Sequence, residues 1–487
     1  MDPVGKAIHG QPTGVRSSRR PALAVGFRSL LATMALCGVI AATAAAGGVT
    51  GDPADTRGQA RERPAIVLER IEVTGNTRTA EGVVVAELGL VTGQPVDQVA
   101  LWDAIGALRR SGLFAQVDAF TRPGSAPGRL VLVLQVVERR PSLRFGTGNS
   151  DLDGWYLIPV ELDLDGALGR GERSRLQLRI GYRHAGLLAS YTEGGRGTRR
   201  GLWGVELGAV STDRIYFLQG VEVAHRVDRG WLTLHAGRRL GRAWGLRLSL
   251  RRETVDPAPA ARVYRDDTAL GVHADDPVPA ADLPPAIAGA TDRRRRTITG
   301  VELRLDTRHL SRVADTPTGG AWGRLRGRRF AQDEGPDFGA ADLDLRLYRR
   351  LPGGVLAWRG RAAVVGNAAP FYDRLYLGGL YTVRGVPSQS LSRPEGDTWL
   401  WQANLEFRAP LAGDPARPRL AGSLFLDAGR SGLIGRAPDR GVRLGAGWGL
   451  RYRLGRFATV GLDVGLPLGA AGGNDAFRAH AALEWGF

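Results

Sequence analysis

The residues best suited to a specific interaction are an arginine on a glycine-rich segment and an aspartate further along on a strand-like one. Arg384 lies in the run Leu377-Gly378-Gly379-Leu380-Tyr381-Thr382-Val383-Arg384-Gly385, and Asp427 in Phe425-Leu426-Asp427-Ala428-Gly429. A guanidinium and a carboxylate held together away from water form a charge-assisted pair. Such a pair would fix the glycine-rich segment against the strand. The expected chemistry is a fastening, with no covalent step.

Chemistry of other kinds lacks its motifs. The seven histidines show no His-x-x-x-His spacing, and there is no Gly-x-Ser-x-Gly elbow. Asp306, Asp463 and Glu484 could in principle form an acid pair, but balancing nearby arginine accounts for them better. The chain therefore reads as no enzyme, with no cofactor and no metal. The one cysteine, Cys37, falls in the leader, which leaves the exported chain without thiol chemistry or a disulfide.

A fastened loop needs walls, and composition limits what those walls are. The 487 residues suffice for two or three domains. Past residue 60 there is no stretch of about twenty apolar residues, so no helical membrane span is expected in the mature chain. With 66 Lys+Arg against 49 Asp+Glu the net charge is +17, and Lys6 is the sole lysine. A basic chain can meet nucleic acid or anionic lipid. No RNP, zinc-finger or helix-turn-helix pattern is present, so nucleic acid is not an expected partner. Residues 1–46 read as a signal peptide: Arg16, Arg19, Arg20 and Arg28, then apolar Leu30 to Ala42, then Ala44-Ala45-Ala46. Residues 47–65 read as a linker.

Residues 66–140 form a small domain of order β-α-α-β-β. Ile66 to Thr74 is a strand closed by the turn Gly75-Asn76-Thr77, and Thr79 is placed to cap a helix from Ala80 to Leu88. A second helix from about Val96 to Ser111 sets Val99, Leu101, Ile105 and Leu108 roughly on one face. Gly112-Leu113-Phe114 ends it, and strands Ala115 to Arg122 and Leu130 to Arg139 follow.

From Pro141 the period changes to two. Val301 to Asp306, Leu343 to Tyr348, Trp399 to Phe407 and Val442 to Leu454 alternate apolar with polar or glycine. No helical layer is available to cover so many apolar faces, and lipid is the simplest cover. An open edge in hydrocarbon would leave backbone donors unsatisfied, so the sheet should close. At roughly 9–11 residues per strand plus turns, residues 141–487 hold about sixteen strands. Counting from Leu420, the register turns Leu424 and Leu426 to lipid and Ser423, Phe425 and Asp427 to the lumen. Asp256 to Arg296 breaks the alternation and reads as a long surface loop, whose Arg293 to Arg296 could meet lipopolysaccharide phosphates, although a solvated charge run accounts for them better.

Val73-x-Gly75-Asn76-x-x-Thr79, Gly112-Leu113-Phe114-x-x-Val117 and Val137-Glu138-Arg139-Arg140-Pro141 resemble a POTRA domain, which implies that Phe114 and Val117 pack inward. POTRA domains receive unfolded polypeptide by strand addition at a sheet edge. With the barrel pattern, Gly378-Gly379 and Val383-Arg384-Gly385, residues 66–487 resemble the Omp85 superfamily of outer-membrane insertases and two-partner secretion pores. The chain's end, Trp485-Gly486-Phe487, resembles the C-terminal signal of bacterial outer-membrane barrels. The resemblance implies a transmembrane antiparallel β-barrel preceded by one α+β POTRA domain in the periplasm. It further implies a loop folded into the lumen, with Arg384 and Gly385 at its tip and Phe425 and Asp427 on the facing strand. The family usually carries Phe or Tyr after Arg-Gly. Val386 stands there instead, which implies a looser tip.

The implied partners are unfolded outer-membrane or secreted polypeptides, outer-membrane lipid and lipopolysaccharide, and accessory periplasmic proteins. A seam between Ser142 to Gly148 and Ala479 to Phe487 would part to offer a strand edge. The alternative is a two-partner secretion pore, which keeps the seam shut and threads cargo through the lumen. A passive porin would need neither the first domain nor the loop.

Overall fold

The computed structural model describes residues 66–483 apart from 112, 150–154, 182, 196–199, 242, 267–270, 272, 309–316, 416, 438–439, 455–457 and 470–476. The expected signal peptide and linker, together with Cys37, Gly112, Glu484, Trp485 and Phe487, lie outside the described residues. Among those described, no helix is long and apolar enough to cross a membrane.

The first elements are β1 (Ile66–Thr74), α1 (Glu81–Leu88), β2 (Pro95–Val96), α2 (Gln98–Ser111), β3 (Phe114–Pro123) and β4 (Arg129–Glu138), with the two helices covering a sheet of order β2-β1-β4-β3. The two-residue β2 is an addition to the expected order. β1 lies parallel to β4, and a register shift between Leu68 and Arg70 lets both Leu68 and Ile71 reach the core despite their odd spacing. α2 buries Leu101, Ala104, Ile105 and Leu108, whereas Val99, expected on that face, is 70% exposed in the first turn. Phe114 and Val117 are both buried.

Thr79 does not cap α1. The N-cap is Ala80 and no side chain caps it; instead the turn before the helix is held by Glu138 at the end of β4. Its carboxylate accepts the backbone N–H of Arg78 (2.9 Å) and Thr79 (2.6 Å), the Thr77 hydroxyl (2.9 Å) and Arg78 Nε (3.1 Å). Asn76 Nδ2 donates to Thr79 O at 3.0 Å. Gly75 has φ 84° and its Cβ position is filled by the Val136 carbonyl, so only glycine fits. Burial pushes the Glu138 carboxyl up, but these four donors outweigh it and hold its pKa at about 2, against an ordinary 4.5. A lowered pKa stabilises the fold above pH 4.5 and loses that contribution as the pH falls toward 2, about 1–2 kcal/mol after solvent screening. Hydrogen exchange across residues 77–84, taken relative to the intrinsic rate at each pH, should therefore quicken between pH 4.5 and 2. Glu138→Gln should quicken it already at neutral pH and flatten the pH dependence.

Beyond Pro141 the chain forms β5 (Ser142–Asn149), β6 (Trp155–Asp163), β7 (Arg173–Gly181), β8 (His184–Gly194), β9 (Gly201–Leu218), β10 (Val221–Leu240), β11 (Trp244–Pro257), β12 (Ala261–Val263), β13 (Pro277–Val278), α3 (Pro285–Ala288), β14 (Arg294–Asp306), β15 (Gly320–Gln332), β16 (Phe338–Leu351), β17 (Gly354–Val365), β18 (Trp399–Asp414), β19 (Arg417–Gly432), β20 (Arg443–Leu454), β21 (Ala458–Leu468) and β22 (Arg478–Leu483). They close into one barrel in which β22 lies beside β5. Setting aside the short hairpin β12–β13, which is added to β10, sixteen strands among the described residues make the wall. Neighbours along the wall are antiparallel, so the barrel matches the architecture expected of a membrane-spanning antiparallel sheet. Leu248, Leu250, Val301, Leu405, Leu424 and Leu426 all point outward and are exposed, as lipid-facing residues would be.

Residues 256–296 correct the expectation of a plain surface loop. β12, β13 and α3 fold over the barrel rim, and Leu283 and Ile287 pack with Tyr216, Val255, Phe371 and Tyr372. The four arginines also divide. Arg293 is exposed, whereas Arg296 is 1% exposed and ion-paired with Glu253 (2.5 Å) and Asp373. The reason is strand parity: β14 starts at Arg294, so alternate arginines of the run turn inward.

Candidate functional site

The lumen loop joins β17 to β18 and is fixed at two places. At its root, Tyr372 O accepts Arg214 Nη2 (3.1 Å) and Arg229 Nη2 (2.8 Å), and Asp373 pairs with Arg229 (3.2 Å) and Arg296. These partners come from β9, β10 and β14. The loop then turns inward through Gly378 and Gly379, at φ 117° and 95°. Gly378 N–H is capped by the Thr382 hydroxyl at 2.8 Å, and Leu377, Val383, Val386 and Leu391 form a small buried apolar cluster. Val386 is thus a packed member of the loop's own core.

At the tip, Arg384 meets the strands of the wall. Nε and Nη2 donate to the two oxygens of Asp427 at 2.7 and 2.9 Å, and its backbone N–H donates to the same carboxylate at 3.1 Å. Nη1 donates to Glu406 at 2.9 Å and stands 3.6 Å from Asp463. The guanidinium lies 3.4 Å from the centroid of the Phe425 ring, so the wall supplies the aromatic surface beside the arginine. Register explains the convergence. On β19 Leu424 and Leu426 are 65% and 47% exposed while Asp427 is fully buried. β18 presents Gln402, Asn404, Glu406 and Arg408 on the same inner face, and Asn404 pairs in register with Asp427.

The carboxylates that the arginine meets are themselves supported. Asn404 Nδ2 donates to Asp427 (2.9 Å) and to Thr382 O (2.6 Å), Gln402 Nε2 donates to Tyr381 O (3.0 Å), and Arg408 Nε donates to Glu406 (2.9 Å). Asp463 receives both arms of Arg451 at 2.8 Å. Each of these buried carboxylates therefore holds at least one guanidinium, an arrangement for fastening rather than proton transfer.

Glycines make the room. β20 turns Gly445 and Gly447 inward, and β21 turns Gly465 inward. A Cβ at Gly445 would meet the Arg384 carbonyl, and one at Gly465 would lie 2.5 Å from Gly385 N. Gly385 itself has φ 95°, and its N–H donates to His480 Nε2 on β22 at 3.2 Å. The loop tip therefore bonds directly to the strand that closes the barrel.

Arg384, Gly385, Val383, Phe425 and Asp427 are brought together here, with Gly378 and Gly379 at the loop's bend. Gly75, Asn76, Phe114 and Val117 lie apart in the first domain. Glu406, Asn404 and His480 were not singled out from the sequence, although strand parity already placed Asn404 and Glu406 on Asp427's side of the wall. The Asp373–Arg296 anchor gave no sequence signal, because its partners sit far apart in an irregular segment and in an arginine run. Asp306 pairs with Arg308 at 2.7 Å and Asp463 with Arg451, so neither joins an acid pair.

A family model described as the Omp85 superfamily domain matches residues 167–482. No curated protein matches the sequence significantly. Among solved structures, the chain is similar to BamA from Haemophilus ducreyi lacking POTRA domains 1–3, at 18% identity and TM-score 0.64, covering 86% of this chain and 85% of that one. It is also similar to CdiB from Acinetobacter baumannii (14% identity, TM-score 0.56, 86% and 74% covered) and to CdiB from Escherichia coli (14%, 0.56, 86% and 76%).

Proposed function

The chain belongs to the Omp85 superfamily, and on that premise we propose that it assists the insertion or assembly of polypeptides at the bacterial outer membrane. The barrel spans that membrane. The first domain acts as a POTRA domain in the periplasm, where it receives unfolded outer-membrane or secreted polypeptides, with accessory periplasmic proteins as further partners. Among the described residues its β3 pairs only with β4, and the open edge of this ten-residue strand offers backbone groups for strand addition. Arg384 acts as a latch that holds the loop against the wall. Lipid and lipopolysaccharide surround the barrel and take no part in the latch.

The observation that carries the reading is the bond from Gly385 to His480 on β22. It links the docked loop to the strand at the closure, so docking and the state of the seam are coupled. The pairing near the seam is also the least regular of that side of the wall, with register shifts in both β5–β6 and β6–β7. A strand pair with fewer regular bonds parts at lower cost. No covalent step is required, and the function is read as non-enzymatic.

A secretion pore is the second reading. The docked loop occupies the lumen, so an extended cargo would pass only after it moved, with the seam shut. Photo-crosslinkers placed along β3, β5 and β22 should capture nascent outer-membrane proteins. Disulfides joining β5 to β22 should stop assembly. Crosslinks confined to lumen positions, with activity retained when the seam is tied, would exclude the insertion reading in favour of the pore.

A further inference from the structure

Away from the latch, one stretch of the lumen wall carries arginine at every second residue. Arg324, Arg326 and Arg328 lie on the inner face of β15, about 6.7 Å apart along the strand. One buried carboxylate on β16 serves all three. Asp342 takes Arg326 at 2.8 Å but stands 3.5 Å from Arg324 and 3.7 Å from Arg328. The next acid, Asp344, is occupied by Arg346 and Arg359 at 3.0 and 2.8 Å. Among the described residues, the buried Nε of Arg324 and that of Arg328 have no hydrogen-bond partner. On β11, two strands away, Arg247 and Arg251 face the same space, a recess of about 160 Å³ lined also by Arg326 and Arg328 and by two carboxylates, Glu206 and Glu302, the latter paired with Arg304 at 3.1 Å. Arg251 pairs with Glu206 at 3.2 Å, and Arg247 has no ion pair among the described residues. Aromatic rings steady the guanidinium groups: Arg328 lies 5.3 Å from the Phe330 centroid and Arg324 5.9 Å from that of Trp322.

Cations in excess of their acids, at a fixed spacing and facing an open recess, define what would complete them. An extended polypeptide rises about 3.3 Å per residue, so its alternate side chains recur at the same interval as the arginines. A carboxylate can accept two guanidinium donors at once. A phosphate matches one arginine but not the row, and the hydrogen-bonded wall from β11 to β16 separates the recess from lipid headgroups. We infer that this wall binds an acidic segment of an extended polypeptide inside the lumen, its alternate carboxylates taking Arg324, Arg326 and Arg328. The inference rests on the proposed handling of polypeptides and adds a preference for acidic sequence.

The test uses the full-length protein in lipid nanodiscs and a fluorescein-labelled twelve-residue peptide alternating Asp with Thr, read by anisotropy. The Asp peptide should bind, and its Lys–Thr counterpart should not. The triple change Arg324→Gln, Arg326→Gln and Arg328→Gln should weaken binding at least tenfold, and millimolar inorganic phosphate should displace little of it. Arg326→Gln alone, expected to weaken binding several-fold, serves if the triple variant fails to fold by unheated gel mobility. Equal binding of both peptides, unchanged affinity in a folded variant, or full displacement by phosphate would overturn the assignment. The crosslinking along β3, β5 and β22 is read separately. Crosslinks without acidic-peptide binding would remove this inference alone, and binding without crosslinks would remove the insertion reading alone.

Discussion

Arg384→Ala is expected to lower assembly activity at least tenfold in a barrel that still closes. The change removes the two side-chain bonds to Asp427, the bond to Glu406 and the guanidinium over Phe425 together. Glu406 keeps Arg408, but Asp427 keeps only Asn404 and the backbone N–H of residue 384. Removing one partner of a buried ion pair costs about 3–5 kcal/mol, because the remaining charge is left in a dry site. That cost falls on the docked loop. The wall itself is held by continuous β18–β19–β20 ladders that do not involve the arginine. At about 1.4 kcal/mol per factor of ten, loop docking should weaken by roughly two to three and a half orders of magnitude. Activity in proteoliposomes should fall at least tenfold. Unheated gel mobility should stay that of a folded barrel, and a cysteine at Val383, buried in the docked loop, should become open to maleimide. Asp427→Asn, which keeps the shape and loses the charge, should lie between. Full activity in Arg384→Ala with Val383 exposed would mean that docking has no part in function.

The lumen half of this site is legible in the sequence because strands count in twos. Leu424 and Leu426 on one side fix Asp427 on the other, and the same counting on β18 puts Asn404 and Glu406 beside it. The barrel followed from the same alternation, since repeated apolar faces require lipid and lipid requires closure. Counting failed where the chain leaves the strand. Thr79 looked like a cap because its type suits that role, yet a carboxylate sixty residues on holds the turn. Arg296 looked solvated because four like residues in a row conceal which of them face inward. Val386 is a different case, since it leaves the tip without the family's own aromatic. The ring beside Arg384 comes from the wall, through Phe425, and Val386 packs with Leu377, Val383 and Leu391. Each failure is a long-range contact that a local pattern cannot encode.

Gly445→Ala should disable the latch without touching a charge. Alanine suits the extended backbone of β20 at least as well as glycine, so the strand should form. What changes is space: the added methyl would occupy the position of the Arg384 carbonyl. That carbonyl cannot retreat while the guanidinium is held by Asp427 and Glu406 and Gly385 lies against β21. Overpacking of this kind costs about 1–3 kcal/mol where the neighbours can shift. Here the neighbour is loop backbone whose simplest shift is to undock. Assembly should therefore fall by about tenfold or more, with the barrel folded and Val383 exposed as in Arg384→Ala. Gly245→Ala, at a site where a Cβ meets nothing within 4 Å, should be silent. The decisive measurement is the double variant. If arginine and glycine act through one docked state, Gly445→Ala should add little once Arg384 is gone, because the loop is already released. Independent, additive losses would instead mean that the inner face of β20 contributes to function without the loop, and the latch would have to be sought elsewhere on the wall.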